Sequence, residues 1–304
     1  MNTEIGIFGY LSLDTLMYQG KKFYDVPGGG ALYASLATLV NGRTPILNVC
    51  VGNDFPESVL VKLKDLGVNL NSIQYSNIPS RRASLKYING NETEFTHYSD
   101  KVWWDRTEAL RPPLTDAYFE TVVLAPMPLD HAKTILVSMD PKVVKVLDTS
   151  KIFARNYPLS IIELLTDIDY FIPSIAETRI LMPGCGDDEA AMKLAQIGTK
   201  VIQKRGAQGL IRASKEKIEQ RQKSHSREII DPTGAGDSVT GAIAAAVSKD
   251  LPEDQLLSIA SQTYSKAGET IVPPPEPLWK NLSSSTSYAF VSCETKTTSV
   301  FSYL

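Results

Sequence analysis

The sequence predicts an α/β fold in which a mostly parallel β-sheet is covered by helices on both faces. Short apolar runs of strand length alternate with longer stretches of helical periodicity through most of the 304 residues, and parallel strands require such crossovers. Two segments depart from that rhythm. Residues 11–26 and 81–98 alternate polar and apolar side chains, the pattern of a sheet with one wet face. Asn89-Gly90 in the second segment is a strong hairpin signal. These segments predict a small antiparallel sheet beside the core. The length suits one large α/β domain or two smaller ones.

Each element has its own signal. IGIFG (5–9) is a short apolar run ending in glycine, as for a buried first strand. Residues 31–42 place Leu32, Leu36, Leu39 and Val40 on one helical face, with Gly42 as the stop. ILNVCVG (46–52) is the next strand. A helix follows with Pro56 near its start, Leu60 and Leu63 inward, and Gly67 at its end. Later strands are expected at 121–125, 143–148, 169–174 and 200–205, with helices near 158–165, 175–182 and 187–197. No repeat is evident. The Ser/Thr-rich tail, 283–304, suits either a last strand pair or a partly disordered segment.

Composition narrows the function. A hydrophobic content of 43% and a charged content of 21% are ordinary for a globular protein. The net charge of -3 gives no electrostatic case for nucleic acid or an anionic membrane. Cys50, Cys185 and Cys293 are few and far apart, which suits a reducing cytoplasm. His97, His131 and His225 are equally scattered, so no zinc site is legible. The amino terminus lacks the basic and apolar regions of a signal peptide. No apolar run approaches the roughly 20 residues that span a bilayer. These features point to a cytoplasmic globular protein. A Walker A loop is absent. Gly28, Gly29 and Gly30 do not make a dinucleotide fingerprint, because Tyr33 stands where its last glycine belongs.

The most informative stretch is IIDPTGAGDSVTGAI, residues 229–243. Gly234 and Gly236 allow a turn with inward N–H groups, and a helix from about Asp237 would add its own free N–H groups and positive dipole end. A phosphate fits such a nest. Asp237 would stand close enough to take a proton from an attacking hydroxyl, as a weak base kept ionised by the helix terminus. The bland reading is a plain turn followed by an acidic first helical turn.

DPTGAGD (231–237) resembles the second signature of the ribokinase family, also called the PfkB carbohydrate kinases. Other similarities follow in the family's order. GYLSLD (9–14) resembles its first strand leading to a substrate-binding acid. PGGGALYASLATLVNG (27–42) resembles its glycine-rich substrate loop and helix. PSIAET (173–178) is similar to its N-x-x-E, with Ser174 for asparagine and Glu177 retained. KRGAQG (204–209) is similar to its T-x-G-x-x-G turn, with Lys204 for threonine. The resemblance spans about residues 5 to 275.

It implies a ribokinase-like three-layer sandwich, a single kinase domain over 1–304 with a lid from 11–26 and 81–98. It implies an ATP-dependent kinase acting on a hydroxyl of a small polyhydroxylated molecule: a sugar first, then a nucleoside or a cyclitol such as inositol. Asp237 would be the catalytic base, and the amides of Gly234, Ala235 and Gly236 an anion hole. Asp14, Gly28, Gly29, Tyr33 and Arg82 would face the acceptor. Ser174, Lys204, Gly206, Gly209, Thr233, Gly234 and Gly236 would face ATP. Glu177 and Asp231 would organise Mg²⁺, mostly through water, and a monovalent cation such as K⁺ is a further candidate.

Several of these residues have a second reading. Tyr33 is either a pocket wall or a core aromatic on an inward helix face. Ser174 reaches less far than an asparagine. Lys204 either meets an ATP phosphate or is a solvated strand end. Arg81 and Arg82 either reach the acceptor or are solvated edge charges. Asp14 is either an acceptor ligand or a turn acid, and Trp103-Trp104 either line the pocket or pack at the lid hinge. Lid-paired dimers occur among members of the family, but Lys21, Lys22, Arg81 and Arg82 on the edge would equally block pairing. The rival functions are a non-catalytic binding or assembly protein built on this fold, and a nucleotide-binding oxidoreductase, which the missing fingerprint disfavours.

Overall fold

The structure, a computed structural model, describes residues 4–18, 21–88, 92–96, 101–224 and 234–268. Asp231, Thr233, Asn89-Gly90 and the tail 283–304 therefore lie outside the described residues. The chain opens with β1 (Glu4–Phe8), β2 (Ser12–Tyr18), β3 (Lys21–Gly28), α1 (Gly30–Val40), β4 (Thr44–Asn48), β5 (Cys50–Val51), α2 (Glu57–Leu66) and β6 (Gln74–Tyr75). It continues through β7 (Ser84–Ile88), β8 (Glu92–Thr96), α3 (Lys101–Ala109), β9 (Thr121–Leu124), α4 (Leu129–Val137), β10 (Val144–Leu147), α5 (Lys151–Asn156) and α6 (Pro158–Leu164). The last elements are β11 (Tyr170–Phe171), α7 (Ile175–Leu181), α8 (Asp187–Ala195), β12 (Lys200–Lys204), β13 (Leu210–Ala213), β14 (Ile218–Gln222), α9 (Ala235–Val247) and α10 (Glu253–Gly268).

Eight strands form the central sheet in the order β14-β13-β12-β11-β10-β9-β1-β4. From β4 to β12 every pair is parallel, and β13 runs antiparallel to both of its neighbours, β12 and β14. The parallel strands have both faces covered, which explains their unbroken apolar runs. Ile5 and Ile7 of β1 join one core cluster and Phe8 the other, so the strand's alternation feeds both layers. The run at 46–52 does not stay one strand. β4 ends at Asn48, whose side-chain amide donates to the Ile46 carbonyl at 2.9 Å, and β5 pairs with β6 in a separate two-stranded sheet.

The two alternating segments form a four-stranded sheet in the order β3-β2-β7-β8. Each hairpin is antiparallel, and the two are joined by a parallel β2–β7 pair, Thr15↔Ser84 to Met17↔Lys86. A register shift between Asp14 and Leu16 lets two residues of β3 oppose one of β2, with Asp25 at φ 54°. Such a bulge changes which face the following residue presents. It allows Val26 and Phe23 both to pack with Leu16 and Leu85. The expected edge position of Arg81 and Arg82 is corrected: they lead into β7, an inner strand, and only Lys21 and Lys22 lie on an edge strand.

α1 is buried all round from Ala31 to Thr38, not along one stripe. It packs on β1 and β4 and against α9, which itself packs on β9 and β10 and is buried from Ser238 to Ala246, and a helix covered on several sides carries small and apolar residues round most of its surface. The helices run parallel, since Ala34 meets Gly241 and Arg43 donates to Ser248 Oγ at 2.9 Å. No helix among the described residues is long and apolar enough to cross a membrane.

The α1–α9 approach depends on a missing side chain. A Cβ on Gly241 would stand 2.1 Å from the Ala34 carbonyl oxygen, a backbone atom that cannot step aside without moving a helix. Gly241→Ala should therefore destabilise the protein by about 1–3 kcal/mol through overpacking, despite alanine's better helix propensity. Denaturant unfolding reads the loss, and unchanged stability would mean that the two helices are not held this close.

Candidate active site

Ligands of open α/β sheets bind beyond the carboxyl ends of the strands. Here that edge carries Tyr10 after β1, Pro126 after β9, Asp148 after β10, Ser174 after β11 and Lys204 at the end of β12. α9 begins at Ala235, two residues before the expected start, so Asp237 sits within its first turn. Gly234 is its N-cap at φ 70°, the left-handed region, which costs glycine little. A Cβ there would also lie 2.2 Å from the Tyr33 ring. Gly234 offers no side chain to the first amides of α9, so those N–H groups and the helix dipole face the site.

The glycine-rich loop lies between two carboxylates. A Cβ on Gly28 would meet Asp14 Oδ2 at 2.3 Å, and one on Gly30 would meet Asp237 Oδ1 at 2.7 Å. Gly29, between them, is the N-cap of α1 at φ 103°. Asp14 is not a turn acid: it is buried within β2, and its Oδ1 accepts from the Ala83 amide at 3.0 Å. Burial pushes its carboxyl up to about 6, against the lowering effect of bonds from Ser12 and Ala83 and the charges of Arg81 and Arg82. The Tyr33 side chain is buried in α1 and packs on Gly234, so it serves the core and borders the helix corner together.

Asp237 is not simply kept ionised by the helix terminus. Desolvation, the charge of Asp148 and that of Glu177 push it up to about 7, while Lys204 acts to lower it. A base near neutrality accepts protons better than an ordinary carboxylate. The stability consequence has a definite sign. Because the folded value exceeds the ordinary aspartate value of 3.8, the contribution of Asp237 is fully present below that value and is lost as pH rises through about 7.

Lys204 is no solvated strand end. Its ammonium is buried, donates to both oxygens of Asp148 at 2.8 Å each, and lies 3.5 Å from the Gly236 carbonyl oxygen. Thr240 Oγ1 and the Thr149 amide also donate to Asp148, at 2.6 and 2.8 Å. Asp148 was not singled out from the sequence. An acid directly following an apolar strand was the available signal, and its partners lie 56 and 92 residues away. Gly30 was likewise passed over beside Gly28 and Gly29.

Ser174 has a local task. Its hydroxyl accepts from the Glu177 amide at 3.3 Å, and Glu177 Oε2 accepts from the Ser174 amide at 2.6 Å, a complete capping box at the start of α7. Serine is as good an N-cap as the asparagine it stands for. Glu177 is also buried, and burial raises its pKa. Asp148, Glu177 and Asp237 thus face one ammonium, and a divalent cation would offset that excess of acid, so the donor set fits Mg²⁺. Gly206 and Gly209 flank the short turn from β12 to β13. The Arg82 guanidinium is engaged by Asp25 and by Asp54, the latter at 2.6 Å. Arg81 stacks over the rings of Tyr10 at 4.0 Å and Trp103 at 4.6 Å, and Trp103 is core.

A second polar group forms elsewhere. Glu108, Asp130 and His131 could each offer a ligand atom within 4.8 Å of the others, although histidine spacing gave no hint of it. Arg111 pairs with both acids, and His131 is held between Tyr10 and Glu108. A cavity of about 420 Å³ beside it is lined by Trp104, Lys133 and Tyr157 among others, and by none of the candidate site residues above.

A mostly parallel sheet with a small second sheet, a glycine loop between two acids and a glycine-cornered helix terminus define the ribokinase-like class of α/β proteins. Residues 6–267 match the model of the pfkB family carbohydrate kinases, and the chain belongs to that family, whose members are phosphotransferases with an alcohol acceptor. The cytidine kinase of Thermococcus kodakarensis is 22% identical over 263 residues, covering 84% of this chain and 92% of the relative. The crystal structure of a Methanocaldococcus jannaschii nucleoside kinase superposes with a TM-score of 0.72 at 19% identity, covering 88% of this chain and 92% of that one. An E. coli protein named as a ribokinase II, solved with ATP and Mg²⁺, gives 0.68 at 20% identity, over 88% and 93%.

The corner at Gly234 can be tested directly. Gly234→Ala adds a strained φ and a clash with Tyr33, and should lower kcat by about 10²–10³-fold, the usual loss when an anion-stabilising arrangement is displaced. Circular dichroism would check that the fold persists. Normal turnover in this variant would show that the corner plays no part in the chemistry.

Proposed function

We propose that the protein transfers the γ-phosphoryl group of ATP to a hydroxyl of a small polyhydroxylated acceptor, a sugar or a nucleoside. The observation that carries this reading is the glycine loop held between Asp14 and Asp237, a slot for a hydroxylated molecule beside the α9 terminus. The names of the relatives fit it: one is a cytidine kinase and another a nucleoside kinase. The intact Asp237 and its glycine turn argue against a non-catalytic binding role.

In this reading Asp14 and the Gly28–Gly29 backbone hold acceptor hydroxyls, and the lid built on β2, β3, β7 and β8 covers them. Asp237 accepts the proton of the attacking hydroxyl as the new O–P bond forms and the bond to the ADP oxygen breaks. The transition state of phosphoryl transfer is loose, so the proton moves late and positioning dominates. The Gly234, Ala235 and Gly236 amides meet charge growing on the transferred group. Bound Mg²⁺ supplies neutralisation of the phosphate oxygens. In this reading Glu177 and Asp231 would hold its water shell. Lys204, Ser174, Gly206 and Gly209 border the nucleotide side.

Two measurements follow from the geometry. An ATPase-coupled screen of nucleosides, sugars and cyclitols should find an acceptor. Because the carboxylate form of Asp237 is the active one, kcat on that acceptor should rise with pH to a plateau above about 7. Asp237→Asn should remove that limb and lower kcat by about 10²–10⁴-fold. ATP binding without phosphorylation of any compound in a broad screen would sink the proposal.

Asp14 should act on the acceptor alone. Asp14→Ala should cost about 2–4 kcal/mol in kcat/KM for the acceptor, because hydroxyls desolvated in the slot lose their partner. ATP affinity should stay nearly unchanged. If ATP binding falls instead, Asp14 belongs to the nucleotide side or to folding.

A further inference from the structure

We infer that Glu108, Asp130 and His131 form a binding site for a divalent transition-metal ion, with Zn²⁺ the best fit, separate from the slot and from the acids that suit Mg²⁺. Glu108 is on α3, Asp130 and His131 open α4, and their ligand atoms all lie within 4.8 Å of one another. Two exposed acids alone would carry little. The histidine between them is buried, its side chain only 1% exposed, and its bonds define what it can do.

The Tyr10 hydroxyl has one proton, and it donates to the Thr107 carbonyl at 3.0 Å. His131 Nδ1 lies 2.5 Å from the same hydroxyl oxygen, so the ring must be the donor there. The tautomer is assigned from these partners. With its proton on Nδ1, the neutral imidazole keeps a lone pair on Nε2. That nitrogen faces Glu108 Oε2 at 2.9 Å and lies 3.7 Å from Asp130 Oδ2. A lone pair and two ionised carboxylates can only accept, and a cation among them satisfies all three. A metal-ligating histidine is built in this way, its other ring nitrogen held by a hydrogen-bond partner.

The spacing suits zinc. Bonds of about 2.0–2.2 Å in a tetrahedron place ligand atoms about 3.3–3.6 Å apart, and the separations of 2.9 and 3.7 Å straddle that range. Imidazole favours Zn²⁺ and its neighbours over Mg²⁺ and Ca²⁺, which prefer oxygen donors. The cavity of about 420 Å³ is lined by both acids, so it gives a path for entry and room for a water as fourth ligand. Glu108 stands in the last turn of α3, where the negative end of the helix dipole favours a cation over an acid. Arg111 answers that preference in part. It takes Glu108 Oε1, leaving Oε2 towards the histidine, and donates to Asp130 Oδ2 at 2.9 Å. Its exposed guanidinium therefore competes with the metal.

Co²⁺ is the probe, because four-coordinate Co²⁺ absorbs visible light strongly and six-coordinate Co²⁺ on oxygen donors weakly. Chelator-treated protein, in excess Mg²⁺ to fill all-oxygen sites, should take up a single equivalent with strong bands that Zn²⁺ abolishes. Glu108→Gln and Asp130→Asn are near-isosteric and should each weaken binding by about 10–100-fold or more. Tyr10→Phe leaves every ligand in place but frees the ring, and should weaken binding about 10-fold. Arg111→Ala should act in the opposite direction, tightening it a few-fold as a competing exposed pair is lost. Zn²⁺ should raise the unfolding temperature of the native protein and not that of Glu108→Gln. Uptake without strong bands, or equal uptake by Glu108→Gln, would overturn the inference. So would a His131 ring protonated on Nε2 in the metal-free protein, read by nitrogen-15 NMR. If Tyr10→Phe does not fold, the opposed directions for Glu108→Gln and Arg111→Ala decide, since both side chains are exposed.

Discussion

The close, parallel contact between α1 and α9 is the constraint on which the rest of the site depends. Gly241 lets the Ala34 backbone approach, Gly234 receives the Tyr33 ring, and Gly30 meets Asp237. Because the helices run in the same direction, both of their amino termini open at one mouth of the sheet. Two parallel dipoles repel one another, and an anion at their shared positive end offsets that repulsion. The packing that buries α1 on all sides is thus also what makes the mouth suited to phosphate.

The same corner gathers charge that a core would ordinarily exclude. Asp148, Glu177 and Lys204 are buried, and the half-buried Asp237 lies within reach of their charges. Two of the acids are partly satisfied by neighbours: Asp148 by Lys204, Thr240 and Thr149, and Glu177 by the Ser174 amide. Desolvation first, and then the remaining excess of acid, raises Asp237, and a cation would relieve that excess. Groups held away from their ordinary protonation behaviour gather where chemistry is done, and here each displacement has a named source.

The two hairpins of the small sheet are held together next to Asp14. Asp14 accepts from the Ala83 amide ahead of β7, and the Leu13 amide donates to the Arg81 carbonyl at 2.9 Å. Arg82 links Asp25 of β3 to Asp54, which lies beyond β5 outside the small sheet.

Much of this was legible in the sequence because it is local. Periodicity and glycine stops placed most strands and helices, since burial on two faces or one leaves a mark within each segment. DPTGAGD and the triple glycine pointed to the site because turn geometry and helix termini are set by neighbouring residues. The capping box at Ser174 and Glu177 is equally short-range. Tertiary structure alone decided that α1 is buried all round, that β2 and β7 pair parallel, and that Arg81 stacks on aromatic rings. It alone joined Asp148 to Lys204 and Thr240, and brought Glu108 and Asp130 to His131. These are contacts between distant segments, and their energies depend on how strands are ordered in the sheet. The single sequence carries that order only through the sum of all its packing, so no one stretch displays it.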